Sequence, residues 1–205
     1  MAAPGVNAAL LPASMIRGGE DIDWTERARR SRARGFTLIE MLTVVAIVGV
    51  LATLGLVAYR RFITASKTSE AIYMVGSIRA SEESYRAETL SYLNVSTGFA
   101  TYYPKDTVGN FKSAWDNPSH ADYANWRQLG ARSDGPVYYG YRVAAGTAGQ
   151  AIPTLTGLTT PPTFPTPSEP WYLIQARGDV DGNGIYSYVT GSSFTGEIYV
   201  EKEGE

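Results

Sequence analysis

The chain has 205 residues, with 18 Lys and Arg against 20 Asp and Glu, one histidine and no cysteine. This length suits one ordinary domain with an appendage, and the absence of cysteine excludes disulfides and thiol chemistry. Residues 36–205 carry twelve basic and sixteen acidic side chains, a balance that excludes bulk binding of nucleic acid through a basic face.

Residues 1–35 combine an irregular segment with a cluster of arginines. Residues 1–24 mix Ala, Pro, Gly and scattered charges without periodicity, which is typical of a disordered segment. Five arginines then precede an apolar run: Arg27, Arg29, Arg30, Arg32 and Arg34. Since fewer basic residues follow that run, the positive-inside rule predicts a cytoplasmic N-terminus.

An uncharged run of 19 residues extends from Met41 to Tyr59. At about 1.5 Å per residue it nearly crosses a hydrocarbon core of ~30 Å, so we expect residues 36–59 to form a membrane-spanning helix. A buried helix of a soluble protein and a cleaved secretory signal are the alternatives. The single charge in this segment is Glu40, and an acid within a span is functional by default.

Helical periodicity continues over residues 60–90, which contain no proline. Apolar side chains recur near helical spacing at Phe62, Ala65, Ile72, Val75, Ile78 and Tyr85. The intervening positions carry charges, including Glu82 and Glu83. One helix is therefore expected from Phe36 to about Glu88, with its second half amphipathic and packed on the rest of the chain.

Residues 91–205 predict a sheet-containing head. Tyr-, Val- and Ile-rich segments indicate strands at 136–144, 171–177, 185–190 and 194–200. Residues 145–170 contain six prolines and predict a long surface loop. The predicted fold class is α+β, with a long N-terminal membrane-spanning helix packed on a C-terminal antiparallel β-sheet.

The stretch RGFTLIEMLTVVAIVGVLATLGLVAYRRF, residues 34–62, resembles the N-terminal signature of type IV prepilins and of the pseudopilins of type II secretion. In that family a basic leader ends in Gly, the first mature residue is usually Phe and the fifth is Glu. Those positions fall on Gly35, Phe36 and Glu40 here. The resemblance implies that a prepilin peptidase cleaves between Gly35 and Phe36 on the cytoplasmic side and methylates the new amine of Phe36.

The resemblance also implies polymerisation with other pilin subunits, in which Glu40 acts in filament assembly. Cleavage creates a cation at Phe36, and a neighbouring subunit can present that cation to Glu40. Two charges that are each costly in lipid are then paired, which favours assembly and fixes the register between subunits. The alternative is that Glu40 snorkels to the membrane interface as a tolerated acid.

Two departures from the family pattern concern the role of the subunit. Val57 occupies a position where many pilins have proline, and the cysteine pair of many major pilins is missing. The expected function is a structural subunit, not an enzyme, of a type IV pilus for motility, adhesion or DNA uptake. A minor pilin, a pseudopilin of type II secretion and a membrane-anchored periplasmic binding protein stay open, as does initiation at Met1 or Met15.

A second candidate site lies in the sequence GDVDGNG, residues 178–184. Asp179, Asp181 and Asn183 match the first half of an EF-hand loop, where alternate oxygen ligands surround Ca²⁺. Thr190 stands where the bidentate glutamate of such a loop belongs, so a simple hairpin turn is the alternative. Ca²⁺ is the one cofactor that the sequence suggests.

Overall fold

A computed structural model of the protein describes residues 35–203. The expected disordered segment 1–24, the five arginines of the leader and the two methionine starts lie outside the described residues. The chain divides into two compact units, Met1–Ile47 and Val48–Glu205. Of the first unit, the structure describes residues 35–47, and these contain the beginning of the first helix.

Helix α1 (Leu38–Thr89) is continuous over 52 residues, which confirms the expected long N-terminal helix. Val57 lies within it, where a proline would remove a backbone hydrogen bond and kink the helix. Two threonines of the apolar run bond back to their own helix: Thr43 Oγ1 donates to Ile39 O at 2.8 Å, and Thr53 Oγ1 to Val50 O at 2.7 Å. Their hydroxyl groups are therefore satisfied without water, as a lipid environment requires.

The C-terminal half of α1 buries a stripe that differs in part from the predicted one. The buried residues are Thr68, Ala71, Met74, Val75, Ile78 and Glu82. Val75 and Ile78 were predicted on the apolar face, but Phe62 is 72% exposed. Glu82, predicted among the charged positions, is fully buried. Hydrophobic periodicity thus located the packed part of the helix, including Tyr85, but it wrongly included Phe62 and left out Glu82.

Four strands of the described chain form one antiparallel sheet in the order β1 (Gly140–Gly146), β2 (Trp171–Gly178), β3 (Ser187–Ser192) and β4 (Tyr199–Glu201). Each strand pairs with the next along the chain, for example Val143 with Ile174. This confirms the predicted antiparallel sheet. Strand β1 begins later than predicted, and β4 is shorter and later than the predicted strand 194–200.

The sheet is covered on both faces, so that strands β1 to β3 are almost wholly buried. One face packs on α1 through a large cluster that includes Val75, Val143 and Ile174. A Cβ added at Gly191 would lie 2.8 Å from Val75 Cγ1, so glycine permits the close approach of helix and strand. The opposite face packs in a second cluster that includes Leu155 and Leu173.

Leu155 belongs to the proline-rich segment 147–170, which contains no helix or strand. Most of this segment lies at the surface of the head, and hydrogen bonds attach it to the sheet. Glu201 of β4 accepts hydrogen bonds from the backbone N–H groups of Thr159 at 2.6 Å and Thr160 at 3.1 Å. These bonds favour the ionised carboxylate and lower the pKa of Glu201 to about 2.

A buried arginine on the edge strand β1 fastens the same segment. Arg142 is 5% exposed and donates to Phe99 O at 2.6 Å, to Thr156 Oγ1 at 2.9 Å and to Gln175 Oε1. Its guanidinium also lies 4.1 Å from the ring centroid of Phe99. Neutral acceptors and an aromatic face thus compensate this buried cation, and they join β1 to two irregular segments.

A buried carboxylate connects a single 3₁₀ turn, η1 (Thr97–Phe99), to the short helix α2 (Tyr123–Leu129). Asp122, directly before α2, is 1% exposed. It accepts hydrogen bonds from Thr97 N at 3.2 Å, Thr97 Oγ1 at 3.0 Å and Thr101 Oγ1 at 3.2 Å. These bonds hold α2 and its aromatic residues against the segment that leads into the sheet.

Candidate functional site

The bond between Gly35 and Phe36 lies in exposed, non-helical backbone immediately before α1. Phe36 is 76% exposed, and a Cβ placed on Gly35 would meet no atom within 4 Å. Exposed backbone outside regular structure is the conformation that proteases reach. Cleavage at this junction stays a prediction, and the local structure is compatible with it.

The predicted assembly residue, Glu40, closes the N-terminus of α1. The Glu40 N–H donates to Thr37 Oγ1 at 3.2 Å, and the Thr37 N–H donates to Glu40 Oε2 at 2.7 Å. The Thr37 hydroxyl also donates to Glu40 Oε2 at 2.8 Å. This reciprocal pattern is a capping box, which satisfies N–H groups that have no partner in the first turn of a helix.

The sequence analysis missed Thr37, although its signal is present. Threonine followed three residues later by glutamate, ahead of an apolar run, is the signature of a capping box. Two of these three hydrogen bonds end on Glu40 Oε2, and Oε1 has no hydrogen bond to any residue between 35 and 203. Glu40 therefore has an oxygen available for a cation while it caps its own helix.

Every large apolar side chain from Leu38 to Tyr59 is exposed, by 44% to 82%. Helix α1 is long and apolar enough to cross a membrane, and none of its apolar window is buried in the structure. A contiguous apolar surface of this size is unfavourable in water at roughly 25 cal/mol per Å². Contact with lipid or with another apolar surface would stabilise it.

The calcium candidate residues lie in the loop that joins β2 to β3. Asp179 Oδ1 accepts from Gly182 N at 2.9 Å, and Asp179 Oδ2 accepts from Gly184 N at 3.2 Å. Asp181 accepts both from the backbone of Asn183 at 3.1 Å and from its side-chain amide at 2.8 Å. These bonds account for the loop conformation as a turn.

The same residues supply few of the six to eight oxygens that Ca²⁺ requires. No group of three or more His, Cys, Asp or Glu side chains suited to a metal occurs among residues 35–203. Backbone carbonyls and water would have to complete the shell around Asp179, Asp181 and Asn183. Calcium binding therefore stays a prediction.

Removal of Ca²⁺ by EDTA is expected to lower the melting temperature of the head by a few degrees, because a cation that binds the folded state stabilises it by mass action. The measurement is near-ultraviolet circular dichroism of the detergent-solubilised chain, with Ca²⁺ added back. Asp181→Asn should remove the response, whereas Asp134→Asn on a different exposed loop should preserve it. Identical melting curves with EDTA and with Ca²⁺ would contradict calcium binding and show that this loop is a simple turn.

Comparison with known proteins adds to the N-terminal site. Residues 30–56 match the family described as the prokaryotic N-terminal methylation motif. The chain is 38% identical over 55 residues to the fimbrial protein EcpC of Eikenella corrodens, covering 27% of this chain and 36% of that protein. It is 39% identical over 54 residues to the type IV major fimbrial protein FimA of Dichelobacter nodosus, covering 26% and 35%.

A further relative is the type IV major pilin protein PilA of Myxococcus xanthus (strain DK1622), 38% identical over 71 residues that cover 34% of this chain and 32% of that protein. The chain spans about a third of the length of the curated relatives it matches. No solved structure matches it. The comparisons confirm the resemblance to type IV pilins that the N-terminal sequence indicates.

Proposed function

We propose that this chain, which carries the N-terminal methylation motif of type IV pilins, is the precursor of a structural pilus subunit. Its leader, residues 1–35, is removed by a prepilin peptidase, and the new amine of Phe36 is methylated. The mature subunit resides in the bacterial inner membrane through residues 36–59, with its head in the periplasm, until assembly machinery transfers it to an extracellular filament. The subunit itself is not an enzyme.

The observation that carries this proposal is the arrangement at the start of α1. An exposed Gly35–Phe36 junction precedes the helix, Glu40 lies in its first turn, and an uncovered apolar surface follows. A membrane anchor needs the apolar surface alone. The acid, which is costly within a span, gains a role when a neighbouring subunit supplies the Phe36 amine.

A pilus is favoured over the two alternatives. The relatives are named fimbrial or pilin proteins, which favours a pilus over a type II secretion pseudopilus. A membrane-anchored periplasmic binding protein would have no use for the cleavage junction or for Glu40. Within pili, the missing cysteine pair counts against a major subunit and favours a minor one, in a filament for motility, adhesion or DNA uptake.

Mass spectrometry of the protein in sheared filaments is expected to find an N-terminus at Phe36 that carries one methyl group. Gly35→Val should retain the leader and abolish filament incorporation, because a branched side chain then occupies the exposed junction. Gly55→Ala is the matched control: it changes a glycine with equally open surroundings in the helix and should leave cleavage intact. Filaments built from subunits that retain residues 1–35 would contradict the proposal.

A further inference from the structure

A pocket of about 460 Å³ opens on the head beside α2. Its lining comes from α2 itself and from the segments that precede and follow it. The volume is within the range of small-molecule sites, roughly 300–1,000 Å³. The pocket is far from the leader junction in sequence, and pilus assembly as proposed above does not use it.

Four aromatic residues give the pocket an ordered wall. Tyr103 and Trp126, each 1% exposed, are stacked with ring centroids 5.2 Å apart. Trp115 meets both rings edge to face, at 5.0 Å and 5.4 Å. Trp115 and Tyr123 are half-buried, so part of each ring is open to the pocket. Because Tyr103, Trp115 and Trp126 hold one another in place, a ligand that stacks on Trp115 does not have to pay the entropic cost of ordering that ring.

Charged side chains surround this aromatic wall. Asp116, Arg127 and Arg132 line the pocket and are exposed. The neighbouring carboxylate of Asp116 raises the pKa of Tyr123, since it interacts more favourably with the neutral hydroxyl than with a phenolate. The guanidinium of Arg127 lies 5.8 Å from the Tyr123 ring centroid. Arg132 forms no hydrogen bond or ion pair with another residue of the described chain. The rim thus offers one carboxylate acceptor and two guanidinium groups.

We propose that this pocket binds a pyranose that carries a carboxylate, that is, a hexuronate unit of an acidic polysaccharide. The apolar C–H face of a pyranose packs on aromatic rings such as Trp115, and Asp116 accepts hydrogen bonds from sugar hydroxyls. The planar guanidinium groups of Arg127 and Arg132 match the geometry of a carboxylate. Two cations against one anion at the rim favour an acidic sugar over a neutral one.

Single-stranded nucleic acid also stacks on aromatic rings and pairs with arginine. The observations favour the sugar because Asp116 stands at the rim and residues 36–205 carry more acids than bases. A phosphate backbone needs an extended basic groove. This pocket is confined to one side of α2, and its rim carries a net charge of only +1. A sugar site would let a surface filament adhere to polysaccharide, although binding itself requires no assembly.

Calorimetric titration of the unassembled chain with D-glucuronate and with D-glucose tests the proposal, in a detergent that has no sugar headgroup. Glucuronate is expected to bind saturably and to change the tryptophan fluorescence, and glucose is expected to bind more weakly. Arg132→Gln should lower the affinity for glucuronate about tenfold, because the variant loses one charge-assisted hydrogen bond to the carboxylate. The same substitution should leave the affinity for glucose unchanged.

Lys202→Gln is the matched control, since it removes one exposed positive charge outside the pocket and should preserve glucuronate affinity. Circular dichroism verifies that each variant is folded. The proposal is overturned if the wild-type chain shows no saturable binding of glucuronate, if Arg132→Gln binds it unchanged, or if an oligonucleotide binds more tightly and displaces it. Because the chain is unassembled in this assay, such a failure would not bear on leader processing or on pilus assembly.

Discussion

Glu82→Gln is expected to raise the melting temperature of the head by roughly 5–10 °C at pH 7 and to flatten its dependence on pH. Removal of this acid is expected to stabilise the head because Glu82 is buried in the stripe of α1 that packs on the sheet. The measurement is near-ultraviolet circular dichroism of the detergent-solubilised chain, melted at a series of pH values between about 4.5 and 8.

The environment of Glu82 penalises its charge. The side chain is 0% exposed. Its Oε2 accepts from Leu93 N at 2.9 Å, and Oε1 has no hydrogen-bond partner in the described chain. Burial is the main cause that raises the pKa of Glu82 to about 8, since a buried carboxylate loses its hydration.

The sign of the effect follows from proton linkage. Below about pH 4 the carboxyl is protonated in both the folded and the unfolded chain, and its contribution to stability is fully present. As pH rises towards 8, the unfolded chain ionises while the folded chain holds the proton, so stability is lost by about 1.4 kcal/mol per pH unit. At pH 7 the loss is on the order of 3 kcal/mol, and glutamine removes it.

Glutamine keeps the acceptor for Leu93 N, which isolates the charge from the hydrogen bond. Glu88→Gln is the control, because it removes an exposed acid from the last turn of the same helix and should change stability by less than about 0.5 kcal/mol. The prediction is contradicted if the melting temperatures of wild type and Glu82→Gln change in parallel across this pH range. That result would show that Glu82 is ionised in the folded state.

Glu40→Gln is expected to reduce incorporation into filaments by two orders of magnitude or more, while membrane insertion and leader cleavage continue. Leaving one member of a buried ion pair without its partner costs about 3–5 kcal/mol, and here the unpaired group would be the Phe36 amine. The measurement compares subunit in the sheared filament fraction with subunit in the membrane fraction by quantitative immunoblotting.

The capping box makes a sharper experiment possible than alanine substitution. Glutamine at position 40 can still cap the helix, so Glu40→Gln removes the charge and preserves the cap. Thr37→Ala does the reverse, because it deletes the hydroxyl that bonds Glu40 and keeps the carboxylate. Loss of an N-cap costs about 1 kcal/mol, so Thr37→Ala should reduce assembly far less.

Two outcomes would contradict the proposed charge pair. Normal incorporation of Glu40→Gln would mean that the charge is dispensable. A larger defect in Thr37→Ala than in Glu40→Gln would mean that Glu40 acts through helix capping. Thr37→Ser, which retains a hydroxyl at the N-cap, is the conservative control and should assemble as the wild type does.

The general architecture was accessible from the sequence because its signals are local. A continuous uncharged run without proline predicts a long helix, and Tyr- and Val-rich segments between turn residues predict strands. The sequence did not reveal contacts between distant residues. The burial of Glu82 depends on the sheet and on Leu93. The proline-rich segment is attached through Glu201 and Arg142, which are far away in sequence.

The N-terminal motif was likewise readable, since Gly35, Phe36 and Glu40 stand within six residues. Its capping role needed the structure to reveal it, although Thr37 is a visible signal. The pocket beside α2 had no sequence signal at all. In the sequence, Trp115 and Trp126 are scattered aromatic residues in a turn-rich stretch. The pocket depends on the hydrogen bonds by which Asp122 holds α2 against the segment that contains Thr97 and Thr101.

By itself, the sequence determined a match to the prokaryotic N-terminal methylation motif, an apolar helix with one acid near its start, and an antiparallel sheet. These properties depend on the order of side chains along a few neighbouring turns or strands. The tertiary structure decided which face of α1 is buried, what fastens residues 147–170, and where aromatic rings and charges converge into a pocket. Those properties depend on which distant segments come into contact, and the free energy of such contacts is not encoded in any local pattern.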